Sequence, residues 1–178
     1  DTTDNPLSFY AATKKCNEVL AYSFSNIYKL PCTGLRFFTV YGPYGRPDMG
    51  LFKWTKAMLN NSQLELYNNG NHYRDFTYID DVCEYIEKTI KKAPKFKIPY
   101  QVFNVGNSNP HKITDIVKYL KYFFKIKKPK IKTKAMQTGD VYKTHANIKK
   151  IEKYTKKKTR IELKDGVKFF VDWFKSYF

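Results

Sequence analysis

The chain has 178 residues, 42% hydrophobic and 17% aromatic, with 33 Lys and Arg against 16 Asp and Glu and a formal net charge of +17. That length suits one domain, or a domain and a half, and the apolar content excludes a disordered basic tail. No run approaches the roughly 18 apolar residues of a membrane span, and no signal-peptide pattern is present.

Three cysteines, Cys16, Cys32 and Cys83, are odd in number and free of any C-x-x-C. They exclude a disulfide framework and a zinc finger, and they suit a reducing cytosol. Over residues 8–29, Phe9, Ala12, Cys16, Val19, Leu20, Phe24 and Ile27 recur at helical spacing, with Pro31 beyond the end. Residues 33–41 are apolar at nearly every position, as expected of a strand buried on both faces. Gly42-Pro43-Tyr44-Gly45-Arg46-Pro47 follows as a loop.

A helix is predicted over 51–59, then short strands over 64–67 and 76–78 around the turn-rich Asn68-Asn69-Gly70-Asn71. Residues 79–92 read as a helix with Asp80 and Asp81 in its first turn, where carboxylates complement the helix dipole. A strand over 101–105, a helix over 113–124, a weak strand over 130–134 and helices over 147–154 and 165–177 complete the chain. In the last helix Val167, Phe170, Val171 and Phe174 form an apolar stripe that reads as core. Strands alternating with helices, with no repeat, mean an α/β protein.

Charge is uneven along the chain. Residues 1–110 hold 13 basic and 10 acidic residues, and residues 111–178 hold 20 and 6. Such asymmetry can signal a polyanion partner. Against that, 29 of the 33 cations are Lys, whereas nucleic-acid and phosphate readers favour the guanidinium fork. His72, His111 and His145 share no ligand spacing, so no metal is expected.

Tyr10 and Lys14 are spaced i, i+4 and share one helix face. An ammonium beside a phenol stabilises the phenolate form, and such a pair can take a proton from a hydroxyl. The spacing alone is weak evidence: Tyr154 and Lys158 repeat it, and there it reads as solvated helix surface. The chain also lacks the Gly-rich strand-to-helix turn of a dinucleotide site, G-x-G-x-x-G or G-x-x-G-x-x-G, and any Walker lysine loop.

Context gives the first pair its meaning. Asn5-Pro6-Leu7-Ser8-Phe9-Tyr10-Ala11-Ala12-Thr13-Lys14 resembles the Tyr-x-x-x-Lys segment of extended short-chain dehydrogenase/reductases, particularly nucleotide-sugar epimerases. The resemblance continues through Leu35-Arg36-Phe37-Phe38-Thr39-Val40-Tyr41-Gly42-Pro43 and Gly45-Arg46-Pro47-Asp48-Met49. It then runs through Arg74-Asp75-Phe76-Thr77-Tyr78-Ile79-Asp80-Asp81, Phe103-Asn104-Val105-Gly106-Asn107 and Gly139-Asp140-Val141. The family it is most similar to is that of UDP-glucuronate 4-epimerases.

This resemblance implies a partial Rossmann-like α/β fold without its amino-terminal dinucleotide-binding half. Residues 1–50 would be the last part of the NAD-binding domain. Residues 51–178 would be a smaller α/β domain that binds the UDP-sugar, with some segments returning to the Rossmann core. It implies Tyr10 and Lys14 as the catalytic pair, with Lys14 also on the ribose of NAD, and Tyr41, Gly42 and Pro43 beside the nicotinamide. Arg74 would meet the UDP pyrophosphate and Asp140 would lie near the uridine. Thr39 and Arg46 would receive a sugar carboxylate, a hydroxyl and a cation suited to an anion.

A cytoplasmic homodimer is expected for the full-length form, with no nucleic acid or membrane partner. The 178 residues alone are expected to have little activity. The alternatives are a neutral-hexose 4-epimerase, a nucleotide-sugar 4,6-dehydratase, or a non-enzymatic polyanion-binding module.

Overall fold

The computed structural model describes residues 3–136, 139–158 and 160–178. Helix α1 (Phe9–Tyr28) starts at Ser8, whose hydroxyl accepts the Ala11 N–H at 3.2 Å, and stops where Lys29 turns left-handed. Its apolar residues are largely uncovered: Val19, Leu20, Phe24, Ile27 and Tyr28 are each more than half exposed, and only Ser25 is buried.

Where one strand is predicted over 33–41, the structure has two. Strand β1 (Cys32–Phe37) pairs in parallel with β5 (Tyr100–Val105), and β2 (Thr39–Tyr41) pairs in parallel with β4 (Tyr73–Tyr78). Phe38, whose N–H bonds the Val105 carbonyl at 3.0 Å, is the crossover between the two sheets. Burial on both faces is not found here. Residues of β1 are half-buried, and Phe37 is 49% exposed, because β5 is the only strand bonded to β1 among the described residues.

Helix α2 (Gly50–Leu59) leads into β3 (Gln63–Tyr67), which pairs in parallel with β7 (Lys130–Lys134). On the far side of β4 lies β6 (Pro110–Lys112), antiparallel to it, a strand that the sequence pattern does not announce. It is three residues long and begins with Pro, which cannot donate to a ladder and so suits an edge. Helices α3 (Ile79–Ile90), α4 (Ile113–Phe123), α5 (Lys149–Thr155) and α6 (Leu163–Tyr177) lie within a few residues of their predicted positions.

Two apolar clusters result. The larger joins α2, β3, β4, α4 and α6 through Phe52, Leu64, Phe76, Leu120 and the predicted stripe Val167, Phe170, Val171 and Phe174. The smaller packs Val82 and Tyr85 of α3 against Phe103 and Val105 of β5 and Ile148 and Ile151 beside them.

The second Tyr/Lys pair is not solvated helix surface. The Tyr154 ring packs on Phe103 at 4.8 Å between centroids, and its hydroxyl accepts from Gln101 Nε2 at 3.0 Å and donates to the Lys92 carbonyl. Lys158 lies beyond the helix, since Lys156 turns left-handed and ends α5.

Candidate active site

Tyr10 and Lys14 project from one face of α1, with the Lys14 ammonium 5.2 Å from the centre of the Tyr10 ring. Both line a cleft of about 570 Å³ whose other walls include Glu18, Gly34, Arg36 and Phe37. Glu18 continues the i, i+4 series, a turn beyond Lys14. Arg36 on β1 grips it through two parallel N–H···O bonds of 2.6 and 2.7 Å. The hydrogen bond from Arg36 holds the Glu18 carboxyl below its usual value, against the opposing effect of burial. Tyr10 is 70% exposed, so its hydroxyl is open to a reactant.

A second cavity, about 390 Å³, lies between β2, α2, β4 and α4. Its polar walls are Thr39, His72, Arg74 and Asp140, and Trp54 and Phe76 are among the apolar ones. Arg74 does not pair with Asp75 or Asp80, its neighbours in sequence. Its Nη2 donates to Asp140 Oδ1 at 2.5 Å, while Nη1 donates to the Tyr73 carbonyl at 2.9 Å. Asp75 is fully buried instead, and its carboxylate accepts the backbone N–H groups of Asn107, Ser108 and Ala146 at 2.7–3.0 Å. The Asp140 segment also adjoins the start of the Tyr10 helix: a side chain built on Gly139 would lie 3.6 Å from the Leu7 carbonyl oxygen.

The remaining expected site residues are placed unequally. Thr39 lines the Arg74 cavity and Arg46 does not. Arg46 is exposed on its loop and held by Asp48 through two bonds, of 3.0 and 2.5 Å. The hydrogen bond to Asp48 raises the Arg46 pKa. The Tyr41 ring is buried, with edge contacts to Phe76 and Tyr78 and its hydroxyl 3.5 Å from the Leu163 carbonyl. Burial, reinforced by Tyr78 and nearby carboxylates, pushes its phenol well up. Its side chain is therefore core, Gly42 beside it is buried as well, and Pro43 is half-buried. At Gly42 φ is +148°, and a Cβ there would run into Ile79.

Glu18 and His72 also line these cavities, where the sequence did not lead one to expect them. Glu18 carried a readable signal in its spacing from Lys14. His72 carried none. Among the described residues no three His, Cys, Asp or Glu side chains cluster as a metal site would require.

A parallel α/β scaffold with a Tyr-x-x-x-Lys helix face defines a class, and comparison with known proteins agrees. Residues 1–106 match the NAD dependent epimerase/dehydratase family, and the chain belongs to it. It is 44% identical over 193 residues to protein CapI of Staphylococcus aureus, covering all of this chain and 57% of that protein. It is 43% identical over 190 residues to UDP-glucuronate 4-epimerase 4 of Arabidopsis thaliana, covering all of this chain and 44% of that one. A crystal structure of UDP-glucuronic acid 4-epimerase from Bacillus cereus, in complex with UDP-glucuronic acid and NAD, superposes with a TM-score of 0.88 at 31% identity, covering 98% of this chain and 55% of that one. The chain thus spans about half the length of the relatives it matches.

Proposed function

We propose that the chain is the carboxy-terminal, substrate-binding portion of a NAD-dependent UDP-glucuronate 4-epimerase, which inverts C4 of the sugar through a 4-keto intermediate. The observation that carries the reading is the open Tyr10–Lys14 face beside a separate cavity holding Arg74.

Tyr10 and Lys14 fit a nicotinamide cofactor in part. The cleft is open at Tyr10, and Lys14, beside the phenol ring, would hold the ribose hydroxyls. What NAD supplies when bound is a hydride acceptor and donor at C4. The work of the chain is proton transfer and positioning. Tyr10 takes the proton of the 4-hydroxyl and later returns it. Lys14 offsets the negative charge on the phenolic oxygen. Arg74 offers its fork to the diphosphate, where a guanidinium suits phosphate oxygens. Asp140, beside it, is suited to accept hydrogen bonds from the hydroxyls of the nucleoside. Thr39 and Arg46 would receive the uronate carboxylate. The surplus of Lys would steer a multiply negative substrate inward, an effect that salt weakens.

A neutral-hexose 4-epimerase is the second reading, favoured by the bond between Arg46 and Asp48, which already occupies the cation meant for a carboxylate. NMR of UDP-glucuronate and UDP-glucose incubated with NAD⁺ and the full-length protein separates the two. Inversion at C4 of the uronate is expected, and Tyr10→Phe should slow it by about 10³-fold. Preference for the neutral sugar would sink the uronate assignment.

The 178 residues alone are expected to turn over little or no substrate, since their sequence holds no Gly-rich dinucleotide loop. Full turnover by them would refute this. The uncovered apolar face of α1 supports association as a dimer, to be checked by sedimentation.

A further inference from the structure

Among the polar side chains of the Arg74 cavity, His72 stands apart. It is 3% exposed and follows the turn into β4, where its backbone carbonyl accepts the Ile113 N–H at 3.0 Å. Its Nε2 is shielded from solvent and has no hydrogen-bond partner. That atom faces Asp140 Oδ2 at 3.7 Å, just beyond hydrogen-bond reach. The other oxygen of the same carboxylate is the one that Arg74 holds at 2.5 Å.

Asp140 therefore sits between two donors, one engaged and one waiting. A buried polar atom without a partner costs stability, and here a carboxylate oxygen lies just out of its reach. Shielding of Nε2 argues against direct contact with a ligand. The group it can reach is Asp140.

We propose that His72 is a positioning residue that takes over the Asp140 carboxylate when an anionic ligand draws the Arg74 guanidinium onto itself. The inference rests on the reading above that Arg74 meets the diphosphate of a nucleotide sugar. Arg74 cannot serve two anions equally well. As its Nη2 turns to the diphosphate, Asp140 loses its partner beside an incoming negative charge. Closing the gap to His72 by less than about 1 Å makes a hydrogen bond to the ionised carboxylate. The ring must carry its proton on Nε2 for this, the tautomer that can donate to Oδ2. His72 thereby releases Arg74 for the ligand and keeps Asp140 in place.

A positioning role separates stability from binding in a way that a packing role does not. In the unliganded protein His72→Met removes an unpartnered polar atom, so the thermal midpoint stays unchanged or rises. UDP, titrated calorimetrically, binds the same variant about tenfold more weakly, the worth of one charged hydrogen bond. His72→Gln, which keeps a side-chain N–H donor, stays within about threefold of the parent protein. In an Asp140→Asn background, His72→Met has little further effect on UDP affinity.

A thermal midpoint lowered by several degrees in unliganded His72→Met would show that the ring has a structural partner and overturn the proposal. Equal UDP affinity in His72→Met and the parent would overturn it as well, leaving the reading of Arg74 intact. If the parent protein binds no UDP at millimolar concentration, the diphosphate reading falls and takes this inference with it.

Discussion

The Lys157 ammonium lies 2.7 Å from the Asp81 carboxylate, with 3% and 6% of the two side chains exposed. The other Asp81 oxygen accepts the Ile161 N–H at 2.8 Å, and Lys157 also reaches Glu84 at 2.6 Å. These bonds tie the segment after α5 to the first turns of α3. Burial by itself would pull the Lys157 pKa down, but the hydrogen bonds to Asp81 and Glu84 outweigh it and raise the value, so the group stays charged. Lys157→Met would strand a buried carboxylate and cost about 3 kcal/mol. Urea unfolding reads the loss, and Asp81→Asn added to Lys157→Met should recover part of it.

Asp75 is a second buried carboxylate, satisfied by backbone alone. Asp75→Ala would orphan three N–H donors, at Asn107, Ser108 and Ala146, for a loss of about 3 kcal/mol or more. Hydrogen exchange should show protection falling first at those three amides. Unchanged protection there would mean that other groups replace the carboxylate.

Gly166 sets two effects against each other. Ala is favoured over Gly within a helix by about 1 kcal/mol. A Cβ at this position of α6, however, would collide with the Tyr41 hydroxyl. Overpacking a buried ring costs about 1–3 kcal/mol, so Gly166→Ala should be net destabilising. A rise in thermal midpoint would show that Tyr41 moves aside freely.

The Glu18–Arg36 pair makes stability depend on pH. The folded Glu18 pKa lies below its ordinary value of 4.5 because of the Arg36 hydrogen bond. Its contribution is complete above pH 4.5 and disappears as pH falls through the lowered folded value. Side-chain exposures of 22% and 31% allow some solvent screening. Glu18→Gln should therefore cost only about 1 kcal/mol at neutral pH, with a flatter decline below pH 4.5. Denaturant midpoints across pH 3–7 test both parts.

How much of the site was readable differs residue by residue. Tyr10 and Lys14 were legible because an i, i+4 pair on a helix is local, and the residues around it distinguish it from the same spacing at Tyr154. Arg74 and Asp140 were each legible within their own segments. Their bond to one another was not, since it spans 66 residues and depends on how the 139–144 stretch lies along β4. Thr39 and Arg46 were expected together across a turn, yet Asp48, two residues from Arg46, competes for the guanidinium at shorter range. His72 had no sequence signal, because what marks it is an unmet hydrogen bond.

Taken alone, the sequence determined the α/β class, the order of nearly every helix and strand, the apolar stripe of α6 and the shared helix face of Tyr10 and Lys14. All of these rest on short-range periodicity or on the residues of a single segment. Only the tertiary structure decided that residues 32–41 divide between two sheets and that Asp81 and Asp75 are buried structural carboxylates. It also decided that the lysine-rich second half contributes Lys157 as a buried counter-ion. Such outcomes depend on which distant groups compete for the same charge or ladder position once solvent is excluded, and spacing along a chain carries no record of that competition.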